Sequence, residues 1–176
     1  PNSFLLESVE GGAIRGRYSF IGLKPDLIWR CFGNRAEINR QAGEDLTAFE
    51  ACAEGTIESL RAVVAECRIA LPPSLPPMAA GLVGYMGYDV IRLIERLPEQ
   101  NPDVLGIPDG IFLRPTVIAV FDNIEDLVTV VTPVWPNSGV DAESAYTQAN
   151  ERLSAIVAAF DKKLPHARAA SVGTEP

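Results

Sequence analysis

The dipeptide Gly33-Asn34 stands between two strand-like runs, Leu27 to Phe32 and Arg35 to Asn39. Glycine reaches positive φ without steric cost, and a two-residue loop of this kind forms the primed turn whose twist matches that of two antiparallel strands. A hairpin over residues 27–39 follows. A second is expected where the β-branched runs Thr116 to Asp122 and Leu127 to Thr132 flank Asn123-Ile124-Glu125-Asp126. Ser3 to Val9 reads as a further strand closed by a Gly11-Gly12 turn. Arg17 to Leu23 alternates Tyr18, Phe20 and Gly22 against Arg17, Ser19 and Ile21, so both of its faces are contacted. Lys24-Pro25-Asp26 then punctuates the chain, because proline cannot donate to a ladder.

Helical signals alternate with these. Ile57, Leu60, Val64 and Cys67 recur at helical spacing and predict an amphipathic helix that ends before the stiff Pro72-Pro73 and Pro76-Pro77 link. Ala80 to Tyr88, with Gly81, Gly84 and Gly87, predicts a strand that admits another backbone or ring at close range. Asp89 is expected to cap a helix over Val90 to Leu97. Asp141 is expected to cap a last helix with Tyr146, Ala149, Leu153, Ile156, Val157 and Phe160 along one stripe, and Ala167 to Pro176 reads as a loose tail. Antiparallel hairpins plus packed helices, without strand-helix-strand alternation, define an α+β class.

A chain of 176 residues suffices for one domain with a buried core. Its net charge of -8 opposes binding to a phosphate backbone, which argues against a nucleic-acid partner. No apolar stretch approaches the ~20 residues of a membrane span. No charged-then-apolar leader precedes Pro1, and a soluble cytoplasmic protein is the expectation. The chain opens on proline almost directly into a strand, so a short leading segment is expected to precede it. Cys31, Cys52 and Cys67 lack metal or disulfide spacing and read as buried free thiols.

Few residues offer chemistry. The run Gly81-Leu82-Val83-Gly84-Tyr85-Met86-Gly87 fits no nucleotide fingerprint. Asp122, Glu125 and Asp126 are too sparse for a calcium loop and read as a solvated turn. His166 has no nucleophile motif to serve, and no carboxylate pair has ligand spacing, so neither a catalytic residue nor a metal site is expected within the chain. The exception is Glu7-Ser8, which interrupts an apolar strand. A polar pair there costs free energy unless it is partnered, so it is either an ordinary strand end or an edge that meets a ligand.

Five motifs tip that choice. Ser3-Phe4-Leu5-Leu6-Glu7-Ser8 and Arg17-Tyr18-Ser19-Phe20-Ile21-Gly22 are followed by Ala80-Gly81-Leu82-Val83-Gly84-Tyr85-Met86-Gly87-Tyr88-Asp89. Ile107-Pro108-Asp109 and Val120-Phe121-Asp122 come after them. Together they resemble, in order, the start of anthranilate synthase component I, the large subunit. The resemblance implies a layered α+β fold of which this chain is one half, with residues 1–166 as the amino-terminal tryptophan-sensing domain and 167–176 as a linker.

It further implies that the residues binding chorismate and Mg²⁺ lie in a carboxy-terminal half not present here, and that a glutamine amidotransferase subunit, component II, is the partner. It carries a tryptophan-binding role to Leu6, Glu7 and Ser8. Tyr18 and Ser19 are added because their strand would lie beside the Leu-Leu-Glu-Ser turn. An Arg17–Glu7 ion pair is the other use for that neighbourhood. An indole that buries up to ~200 Å² would gain roughly 5 kcal/mol before association costs, with Glu7 facing the ligand ammonium and Ser8 its carboxylate. The large subunit of aminodeoxychorismate synthase shares the fold and is the runner-up, although Glu-Ser and Arg-Tyr-Ser-Phe-Ile-Gly favour anthranilate synthase. A stand-alone amino-acid-binding module is the reading from another class.

Overall fold

The computed structural model describes residues 2–7, 16–98, 102–135 and 139–162. Its spine is a pair of long antiparallel strands, β2 (Tyr18–Phe32) and β6 (Gly110–Asp122), matched from Tyr18↔Asp122 to Cys31↔Gly110. Around them β1 (Phe4–Leu6), β3 (Arg35–Asn39), β4 (Glu50–Ala51), β5 (Val83–Met86) and β7 (Leu127–Val131) complete an antiparallel sheet. Its order is β4-β3-β2-β6-β5, with β1 on β2 and β7 on β6. Among the described residues two α-helices, α1 (Thr56–Glu66) and α2 (Ala142–Phe160), accompany it, and the α+β class holds.

The predicted break at Lys24-Pro25-Asp26 is not a break. β2 runs through it, and Asp26 is the extra residue of a bulge: Pro25 pairs with Pro115 and Leu27 with Arg114. Two prolines are tolerated in mid-strand because the sheet has a waist there. On β2 the partner β1 ends at Gly22 and β3 begins at Ile28; on β6 the partner β5 reaches Leu113 and β7 begins at Ile118. No third strand needs the missing donors. The bulge also resets the pleat. Tyr18, Phe20 and Gly22 before it share a face with Leu27, Trp29 and Cys31 after it, since all six lie opposite even-numbered residues of β6.

That face carries the core. Leu27, Trp29, Cys31, Ala36, Ile38, Val63, Cys67 and Trp135 form one buried cluster, and Phe20, Ile118 and Val120, with Phe4 and Tyr18 against them, form another. Helix α1 buries Thr56, Ser59 and Val63 toward it. The predicted stripe is therefore turned by a residue, with Val64 exposed and Ile57 and Leu60 half-buried. Hydroxyls take the inner positions because the sheet offers them partners. Trp29 Nε1–H donates to Ser59 Oγ at 3.1 Å, and Thr56 Oγ1 donates to the Gly33 carbonyl at 2.7 Å.

Gly33 has φ +56° in the expected hairpin, and Asn34 beside it accepts from the Thr56 N–H, supplying the helix cap that Gly55 cannot. Behind α1, Arg114 is held in a charged network: its Nε and Nη2 donate to Asp26 at 2.7 and 3.0 Å, and its Nη1 to Glu66 at 3.3 Å. Arg40 donates to the same Glu66 and draws its carboxyl below the usual range.

Other elements depart from expectation. The first strand is only Phe4–Leu6, and Val9 with Gly11-Gly12 lies outside the described residues. The helix expected over Val90 to Leu97 is a 3-10 turn, Tyr88–Leu93, preceded by Gly87, and Asp89 accepts from Arg92 Nε at 2.7 Å instead of capping. β5 occupies the middle of the predicted glycine-rich strand, where a Cβ on Gly84 would fall 1.9 Å from the Ile111 carbonyl oxygen, so only glycine fits. Asp141 does cap α2, accepting from the Ser144 N–H at 3.0 Å. Its predicted stripe is largely uncovered, however: only Ala145 and Ala149 are buried, and Tyr146 and Phe160 are 67% and 63% exposed. Cys31 and Cys67 are buried and Cys52 half-buried, all as free thiols. The tail and His166 lie outside the described residues.

Candidate functional site

β1 lies on the outer side of β2 with Phe4 opposite Gly22, Leu5 opposite Ile21 and Leu6 opposite Phe20. The pairing is specific because Gly22 leaves room for a ring. A Cβ at Gly22 would sit 2.0 Å from Phe4 Cε1, so the aromatic of one strand fills the space that the other lacks. This seat delivers the Leu-Leu-Glu run to the start of β2.

The sequence-predicted residues are thereby divided. Leu6 and Tyr18 lie on the core-bearing face, Leu6 41% exposed and Tyr18 half-buried with its ring 6.1 Å from that of Phe20. Ser19, opposite Phe121, belongs to the reverse face with Leu5 and Ile21. Glu7 follows the end of β1 and is exposed, and Ser8 lies outside the described residues. The structure brings the two segments side by side but does not bring Ser19 and Tyr18 to one surface.

Arg17 does not serve Glu7. Its Nε lies 2.9 Å from both oxygens of Asp122, Nη2 lies 2.5 Å from Oδ2, and the guanidinium sits 4.9 Å from the centroid of the Tyr18 ring. Asp122 also accepts from the Ile124 and Glu125 N–H groups at 3.0 and 3.2 Å. The Arg17 hydrogen bonds, aided by those amides, hold the Asp122 carboxyl down to about 2. The turn read as merely solvated is thus partly an anchor. Nothing local in the sequence marks it, since 105 positions separate the partners.

Beside this pair is a groove of about 310 Å³, lined from the sheet by Tyr18, Val120, Leu127 and Thr129 and from the other side by Ser74, Leu75, Pro76 and Pro77. The proline link is therefore a wall as well as a connector, which sequence reasoning missed. Two other cavities contain no predicted residue. One of about 580 Å³ lies by Tyr85, Tyr88 and Asp109, and one of about 510 Å³ lies between α2 and the sheet beside Arg114 and Trp135. Among the described residues no group of three His, Cys, Asp or Glu side chains could hold a metal ion, and no helix is long and apolar enough to cross a membrane.

The structure defines an α+β unit built on one antiparallel sheet, with an exposed edge strand on β2 and a polar-rimmed groove lined by Tyr18, Val120, Leu127 and Thr129. Its architecture matches the crystal structure of anthranilate synthase component I from Streptococcus pneumoniae TIGR4, with a TM-score of 0.63 at 19% identity over 89% of this chain and 32% of that one. No family model matches the chain. It is 52% identical over 167 residues to anthranilate synthase component 1 of Cereibacter sphaeroides, covering 95% of this chain and 33% of the relative. It is 38% identical to that of Thermus thermophilus over 82% of this chain and 28% of the relative. The chain belongs to the anthranilate synthase component I family and spans about a third of the length of the curated relatives it matches.

Proposed function

We propose that this chain is the amino-terminal, tryptophan-sensing part of a component I protein. The whole protein would convert chorismate and glutamine-derived ammonia to anthranilate and pyruvate in the cytoplasm. The observation that carries the reading is the family likeness over 95% of the chain, joined to the seating of Leu6 and Glu7 on the exposed edge beside Tyr18. Two features of the surface support a larger assembly. The reverse face of the sheet leaves Leu5 60% and Val128 44% exposed beside the half-buried Ile21 and Leu23, and α2 leaves most of its apolar stripe uncovered. The remaining two thirds of a relative-length protein would cover such surfaces and would hold the chorismate residues.

Magnesium, which the family likeness implies, would be held by that remainder; among the described residues no group of three His, Cys, Asp or Glu side chains could hold a metal ion. A glutamine amidotransferase, component II, would deliver the ammonia. Within this reading regulation is a coupling free energy. Tryptophan favours one arrangement of the two halves, chorismate the other, and each weakens the other's binding by the same factor.

The test is twofold. This chain alone, given chorismate, ammonia and Mg²⁺, should release no fluorescent anthranilate, whereas a protein of the relatives' length should. In the latter, Ser8→Ala should weaken tryptophan inhibition by about 1 to 3 kcal/mol while turnover stays near wild type. Equal inhibition constants would remove Ser8 from the site.

A further inference from the structure

We propose that the cavity of about 510 Å³ between α2 and the sheet is a small-molecule site, whose ligand is a monocarboxylate with a neutral hydrogen-bond acceptor on an apolar frame. This does not rest on the tryptophan reading.

One wall carries a donor with nothing to meet. Trp135 is 5% exposed and lines the cavity, and its Nε1–H is the one buried side-chain nitrogen or oxygen without a partner among the described residues. A dry, unpaired N–H costs free energy until an acceptor reaches it. The contrast with Trp29 is direct, because that indole donates to Ser59. The Arg114 guanidinium stands 5.1 Å from the centroid of the Trp135 ring, so the face is occupied and the N–H edge is what remains.

The opposite wall carries a cation fixed in place with its fork unused. Arg152 donates from Nε to Thr132 Oγ1 at 2.9 Å, and that hydroxyl donates in turn to the Thr116 carbonyl of β6 at 2.8 Å. Arg152 and Thr116 both line the cavity, and Nη1 and Nη2 have no partner among the described residues. A carboxylate matches such a pair of amino groups.

The other charges narrow the choice. Asp26 and Glu66 are taken by Arg114, and Glu66 also by Arg40, so these four side chains neutralise one another. A doubly charged phosphate would face Asp26, Glu66 and the exposed Glu44 with only Arg152 open to it, whereas a single carboxylate balances that one cation. Pro133, Val134, Val140 and Ala145 line the rest and suit an apolar frame, and the volume falls in the range of small-molecule sites. Occupancy has a mechanical result. In α2 only Ala145 and Ala149 are buried, so a ligand that joins Arg152 to Trp135 would fasten the helix to the sheet.

NMR titration with levulinate, an aliphatic keto acid, tests the site through the indole N–H peaks. The chain has two tryptophans, and Trp135→Phe identifies which peak belongs to position 135. Millimolar levulinate should move the Trp135 peak downfield to saturation and raise the thermal midpoint, while the Trp29 peak stays. Arg152→Gln should weaken the titration about tenfold, and pentanoate, which lacks the ketone, should bind several-fold more weakly. An unmoved Trp135 peak, wild-type affinity in Arg152→Gln, or an equal response to pentanoate or inorganic phosphate overturns the proposal. Should Trp135→Phe fail to fold, Ser59→Ala assigns the peaks by moving that of Trp29.

Discussion

Gly22→Ala should destabilise the protein through a single ring, and removing that ring should reverse the sign. A Cβ at position 22 falls 2.0 Å from Phe4 Cε1 and 2.4 Å from Cζ, against about 3.5 to 4 Å for an ordinary carbon contact, so the ring must retreat by roughly 1.5 Å or more. Forced repacking of this kind costs about 1 to 3 kcal/mol. Alanine in a strand interior meanwhile regains about 0.5 to 1 kcal/mol that glycine loses to backbone entropy. The net expectation is a loss of up to about 2 kcal/mol. In a Phe4→Ala background the obstruction is gone, and the same substitution should stabilise by about 0.5 to 1 kcal/mol. Urea midpoints of wild type, both single variants and the double variant close the cycle, with an expected coupling of about 1 to 3 kcal/mol. Additive effects would refute the ring-over-glycine account of how β1 is seated. Within the proposed tryptophan-sensing reading, Gly22→Ala should also weaken tryptophan binding, because the strand it unseats carries Leu6 and leads into Glu7.

Ser59→Ala removes the acceptor of the fully buried Trp29 indole N–H and should cost about 1 to 3 kcal/mol in chemical denaturation; a change under about 0.5 kcal/mol would mean that the bond contributes little. The Asp122 carboxyl, held down to about 2 by Arg17, stabilises the fold at pH above its ordinary value near 3.8. That contribution is lost as pH falls through about 2. An NMR titration should find its midpoint near 2 in wild type and back toward 3.8 in Arg17→Gln, and a wild-type midpoint near 4 would rule the pair out as an anchor.

What the sequence made legible was chemistry confined to a few neighbouring residues. Gly33-Asn34 announces its turn because positive φ is a local demand, and Asp141 announces its helix because the cap closes on Ser144, three residues on. Lys24-Pro25-Asp26 misled because proline's effect depends on who stands beside the strand, and at the waist nobody does. A clue was present, since the apolar positions shift from Tyr18, Phe20 and Gly22 to Leu27, Trp29 and Cys31, from even to odd, as a bulge requires. The apolar spacing of helix α1 points one residue away from its buried side, because the inner Thr56 and Ser59 are polar and only the Gly33 carbonyl and the Trp29 indole, distant in sequence, make them inward-facing. At the candidate site the motif located the edge, while its division between two faces and the proline wall depended on tertiary packing.

The Asp26 bulge carries a consequence for how such a strand can change over time. One inserted residue keeps fifteen positions in step, so chain length between Leu23 and Leu27 behaves like a parity bit. Losing Asp26 alone would swap inside for outside along half the strand and would leave the Arg114 guanidinium with Glu66 as its one remaining carboxylate among the described residues. Losing or gaining a pair of residues would preserve the pattern, so length variation at this waist is expected in twos.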